Sequence, residues 1–159
     1  MVSNVILPAA VLLVTVAALF YAAFIDLKHY KIGNELILLL IGLFFFYSLV
    51  SDRWAAAAWS LGLAASIFLF LIYPYTRHWI GGGDVKILTV AFLWCGIECA
   101  LPFVILLLLF VSLHTVAAKF GWVGSQQIDD DRRQRIPFAP SVAAALAITI
   151  LLGCLRLPE

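Results

Sequence analysis

Six apolar runs, parted only by short charged or glycine-bearing segments, set the limits on what this chain can fold into. They are laid out over residues 5–25, 36–50, 54–73, 85–96, 101–118 and 138–155. A helix that crosses a bilayer needs about 20 mostly apolar residues. A chain of 159 residues therefore holds about six spans and no sizeable extramembrane domain. Composition agrees, with 65% hydrophobic and 12% charged residues against roughly 45–50% and 25% in a soluble domain. The expectation is an all-α polytopic membrane protein with one membrane-embedded domain over residues 1–159. The fourth run is short for a span unless it continues toward Pro102, and irregular backbone at that depth must be buried in protein or line a wet cavity.

The few charges set orientation. Cytoplasmic loops carry an excess of Lys and Arg. Lys28, Lys31, Arg77, Lys86, Lys119, Arg132, Arg133 and Arg135 fall in the first, third and fifth loops, whereas only Arg53 and Arg156 fall elsewhere. The odd-numbered loops, and with them Asp26 and Asp84, are expected at the cytoplasmic face. The N-terminus lacks a basic region before its first apolar run, which reads as a retained helix. A net charge of +1, scattered in short clusters, offers no basic face for a nucleic acid.

Metal and cofactor chemistry find little support. Cys95, Cys99 and Cys154 contain no CxxC pair and read as small apolar residues. His29, His78 and His114 lack ligand-like spacing, and His114 falls where the fifth helix would bury it. No cofactor is expected.

Charged groups at the ends of membrane helices are costly, which makes each a functional candidate. Asp26 ends the first run in Ile25-Asp26-Leu27-Lys28, and Asp84 opens the fourth in Gly81-Gly82-Gly83-Asp84-Val85-Lys86. Taken singly, the first reads as an interfacial acid paired with Lys28 and the second as an N-capping turn. Together they place two carboxylates at one depth on one face. Two such groups brought close share a proton, one acting as base and the other as acid. The ionised member draws a proton from water as it attacks a peptide carbonyl, and the protonated member polarises that carbonyl. The glycines allow a substrate strand to approach. An anion is favoured at the N-terminal end of a helix, which points to Asp84 as the base and Asp26, at a C-terminal end, as the proton carrier.

These residues resemble the type IV prepilin peptidase family, whose members carry one Asp at the end of an early helix and a second in a Gly-x-Gly-Asp motif. The second motif stands here as Gly81-Gly82-Gly83-Asp84, followed by Val85 and Lys86. The first stands as Asp26-Leu27-Lys28 with Ile32-Gly33-Asn34 downstream, where the family usually has Ile-Pro-Asn. The segment Ile136-Pro137-Phe138-Ala139-Pro140 resembles the entry to the family's last helix. The resemblance implies a membrane aspartic endopeptidase with Asp26 and Asp84 as catalytic carboxylates. It implies cleavage of a basic leader from a prepilin or pseudopilin at the cytoplasmic face, with Gly81, Gly82, Gly83 and Lys86 near the substrate. Bifunctional members that also methylate the new N-terminus carry paired CxxC motifs. This chain has none, which implies peptidase activity alone and no metal.

Other features have ordinary readings. The acidic run 129–131 balances Arg132, Arg133 and Arg135, and it also offers a basic leader a docking point. Trp79, Trp94 and Trp122 read as interface anchors, the alanines at 55–58 as a close-packing stripe, and Glu98 as an exposed turn residue. A small proton-coupled transporter also places carboxylates in membrane helices. Such a relay needs ionisable groups through the whole bilayer, and here both acids fall near one face. A structural membrane protein leaves both acid motifs unexplained.

Overall fold

The computed structural model describes residues 3–29, 33–120 and 138–152. Lys31, Ile32, Trp122, the 129–131 run, Arg132, Arg133, Arg135, Ile136, Pro137, Cys154 and Arg156 lie outside the described residues. Among the described residues five helices follow in order: α1 (Ser3–His29), α2 (Asn34–Val50), α3 (Trp54–Thr76), α4 (Gly82–Lys119) and α5 (Ala139–Leu151). No strand occurs among the described residues. Among the described residues three stretches are long and apolar enough to cross a membrane, Ile6–Lys28, Trp54–Thr76 and Gly82–Ala117, and α2 and α5 are shorter apolar helices. Large side chains such as Leu13, Phe70 and Leu101 face outward. An apolar exterior of this kind suits lipid and not water.

Turn chemistry explains where the helices stop. The Ser51 N–H donates to the Tyr47 carbonyl at 2.9 Å and the Arg53 N–H to Ser48 at 3.2 Å. Asp52, at φ 49, adopts the left-handed conformation that Asp tolerates better than most residues, so α3 turns back along α2. At the end of α3, the N–H groups of Arg77 and Trp79 donate to the carbonyls of Tyr73 and Pro74, and His78 takes φ 58.

Gly96 divides α4. Its φ of 58 and ψ of −171 fall in a region open essentially to glycine. Phe92 and Phe103 meet edge to face with centroids 5.3 Å apart. In a continuous helix residues eleven apart stand about 16 Å apart along the axis. The chain therefore doubles back at Gly96, and 82–95 and 97–119 form two helical segments. The expected break between the fourth and fifth runs thus shrinks to one glycine. Glu98 is 75% exposed, as expected, with Arg53 3.9 Å away, but it lies in a helix and not in a turn.

Trp94 corrects one expectation. It is 1% exposed, and its indole N–H donates to the Leu40 carbonyl at 3.1 Å with Phe44 and Tyr47 packed on the ring. It joins α4 to α2 in the core and is no interface anchor. Apolar runs alone do not separate a core indole from an interfacial one. Trp79 is 72% exposed, in keeping with its expected position. Of the 55–58 alanines only Ala57 is buried, so close packing there is confined to one position.

The most enclosed helix is α5. Ala139, Ala143, Ala145 and Ala147 are all buried, and small residues let neighbouring backbones come close. It packs against both α1 and α4. Three buried hydroxyls are satisfied within their own helices, Thr15 donating to Val11, Ser48 to Phe44 and Thr149 to Ala145, which spares the apolar interior those unpaired donors; Ser51 Oγ, at the end of α2, is buried without a partner.

Candidate active site

One end of the bundle gathers the finish of α1 with the starts of α2, α4 and α5, and both acids lie there. Asp26 sits within the last turn of α1, not beyond it, and is 6% exposed. Its Oδ2 accepts the Ala139 N–H at 3.0 Å, and the Phe138 N–H faces the same carboxylate. The first N–H groups of a helix have no partner within it. A carboxylate from another helix therefore caps α5, placing an anion at the positive end of its dipole.

Asp84 is half-buried in the first turn of α4. Its N–H and that of Val85 both donate to the Gly81 carbonyl, at 3.1 and 3.2 Å. The Asp84 side chain folds back over the glycines, with Oδ2 3.1 Å from the point a Cβ on Gly81 would occupy. Gly82 lies beneath the Tyr75 ring, whose Cε2 is 3.3 Å from the equivalent point. Gly83 continues the same turn, half-buried. The absence of a side chain thus allows close approach here, of a carboxylate at Gly81 and of a yielding aromatic ring at Gly82.

Lys86 is exposed, and its ammonium donates to Asn34 Oδ1 at 2.8 Å. This bond ties the start of α4 to the start of α2 and joins two of the motifs picked out in the sequence. Asn34 was visible there only as the last residue of the Ile32-Gly33-Asn34 segment.

No Cα of α1 comes within 8 Å of a Cα of α4, while α2 and α5 each pack against both helices. The backbones carrying Asp26 and Asp84 are therefore held at a distance by α2 and α5. Both acids also face a helix start, Asp26 that of α5 and Asp84 that of α4. The helix-end argument that singled out Asp84 as the base does not survive this arrangement, because Asp26 meets a positive end as well.

The sequence marked His114 only as a helix residue open to burial and gave it no place at the site. On α4 it is half-buried, with Nδ1 3.2 Å from Ser141 Oγ on α5. Its Nε2 is enclosed without a hydrogen-bond partner, and the ring lies near enough to Asp26 to interact electrostatically. Only folding makes residues from α1, α4 and α5 neighbours. Among the described residues no group of three or more His, Cys, Asp or Glu side chains is arranged to hold a metal ion. A cavity of about 370 Å³, lined by Tyr47, Arg53, Trp59, Trp94 and Glu98 among others, lies at the opposite end and touches neither acid.

The profile of the type IV leader peptidase family matches residues 13–118, which include both acids. A Bacillus subtilis (strain 168) protein named prepilin leader peptidase/N-methyltransferase is 28% identical over 144 residues. The match covers 88% of this chain and 54% of that protein, so the chain spans about half the length of its relative. No solved structure matches significantly. With the profile covering well over half of its length, the chain belongs to the type IV leader peptidase family.

Proposed function

We propose that this protein is a membrane aspartic endopeptidase that removes the leader from prepilins or pseudopilins, with Asp26 and Asp84 as the catalytic pair. The observation that carries the reading is that both carboxylates lie at one end of the bundle, each at the start of a helix, in a chain of this family. The B. subtilis relative's name adds the substrate class.

In this reading the six helical segments are six spans of a single membrane domain, and the end bearing the acids faces the cytoplasm. A prepilin holds its apolar helix in the bilayer and its basic leader in the cytoplasm, which brings the scissile bond to the acids. One carboxylate takes a proton from water as that water attacks the carbonyl. The other, protonated, polarises the carbonyl, and a proton returns to the departing amine. Gly81, Gly82 and Gly83 let the substrate strand approach, and Lys86 stands beside it. The activity proposed for these residues is peptidase cleavage without methylation, as the resemblance to the peptidase-only members implies.

The test is cleavage of a panel of prepilin substrates by the detergent-solubilised protein, its Asp26→Asn and Asp84→Asn variants, and a check that all three remain folded. The expected outcome is cleavage by wild type and a loss of roughly 10²–10⁴-fold in either variant, the usual scale for an acid–base group. Cleavage that survives both substitutions refutes the pair. A wild type inactive on every substrate returns the transporter reading.

A further inference from the structure

Asp26, from α1, and His114, from α4, reach the same turn of α5. Asp26 Oδ2 holds the Ala139 N–H, and His114 Nδ1 meets the Ser141 hydroxyl two residues along. The turn is closed by the Ser141 and Val142 N–H groups, both donating to the Phe138 carbonyl at 3.1 and 3.3 Å. Movement of Ser141 within this turn therefore carries the Ala139 N–H with it.

A packing role does not account for His114. An apolar side chain of similar shape fills the same space without enclosing Nε2, a polar atom left without a partner. Buried polar atoms are rarely left so, and the exceptions call for a reason. The contact that distinguishes imidazole here is the one made by Nδ1.

We propose that His114 is a positioning residue for Asp26, acting through Ser141 and the first turn of α5. This rests on the peptidase reading above. A loosened α5 start lets the carboxylate turn away from the scissile bond, and small misplacements of a reacting group are costly. The effect belongs to kcat and not to KM, since neither His114 nor Ser141 touches substrate in this account.

The experiment compares cleavage by wild type, His114→Ala, His114→Asn, His114→Gln, Ser141→Ala and the double variant His114→Ala/Ser141→Ala, each checked for a monodisperse, cooperatively melting fold. An Asn side chain places a polar atom where Nδ1 stands, and a Gln places one where Nε2 stands. The expected result is a kcat loss of roughly 10- to 100-fold in His114→Ala and Ser141→Ala at near-constant KM. Asn is expected to restore kcat where Gln does not, and the double variant to be no worse than either single one. Wild-type kcat in His114→Ala overturns the inference, as do equal losses in Asn and Gln or additive losses in the double variant. Should His114→Ala fail to fold, Ser141→Ala decides by itself. Failure of this inference alone is recognised by an active wild type and an inactive Asp26→Asn. A wild type without cleavage removes the peptidase reading and this inference with it.

Discussion

Asp26 and Ala139, 113 residues apart in the chain, are joined by a 3.0 Å hydrogen bond from the Ala139 N–H to the Asp26 carboxylate. One side chain thereby serves the fold and, in the proposed function, the chemistry. The two roles separate by substitution. Asn keeps an acceptor oxygen for the helix start and Ala removes it.

Asp26→Ala is accordingly expected to lower stability by about 1–3 kcal/mol, the range for a lost helix cap or a hydrogen bond to a charged group. Asp26→Asn should stay within about 1 kcal/mol of wild type while losing cleavage. Melting in detergent, run beside the cleavage assay, checks both. Equal stability of the two variants means that the bond contributes nothing to holding α5.

Gly81 and Gly82 should respond differently to a methyl group. At Gly81 a Cβ meets Asp84 Oδ2 at 3.1 Å, so Gly81→Ala presses on the carboxylate itself. At Gly82 the obstacle is the ring of Tyr75, an exposed side chain able to yield. Gly81→Ala is expected to cut kcat by roughly tenfold or more, with the melting temperature little changed. Gly82→Ala should keep most activity. The reverse ranking contradicts the carboxylate geometry.

The bond between Lys86 and Asn34 is solvent-exposed, and water competes for both groups. Lys86→Ala and Asn34→Ala should each cost no more than about 1 kcal/mol. A double-mutant cycle is expected to show coupling of about 0.5 kcal/mol. Purely additive effects on melting would show that the two helix starts are held by packing alone.

Of Gly33, Gly42, Gly62, Gly81, Gly82 and Gly96, Gly96 leaves the least room for a side chain. In Gly96→Ala the new Cβ falls 2.7 Å from Ser60 Oγ, on a backbone conformation costing about 1–3 kcal/mol for any other residue. Adding Ser60→Ala removes the clashing oxygen and should recover part of the loss. The backbone share should remain. Full recovery would mean that only the clash mattered, and thermal denaturation of the three variants distinguishes the cases.

Much of this protein could be read from local sequence. Apolar runs mark helices because each span must satisfy its own backbone in lipid, and the starts of α2 and α3 fall within two residues of the expected runs. Asp26, the three glycines and Asp84 stood out because charge and chain flexibility are rare in such a composition. Whatever depended on contact between helices did not stand out. The burial of Trp94 against Leu40, the reversal at Gly96 and the pairing of Lys86 with Asn34 each join residues whose sequence neighbourhoods carry no mark of the other partner. The capping of α5 by Asp26 and the placing of His114 beside Ser141 are of the same kind. Apolar periodicity and local motifs report one helix at a time; which polar atoms meet at a helix start is decided only when the unpaired N–H groups there find the nearest acceptor in three dimensions.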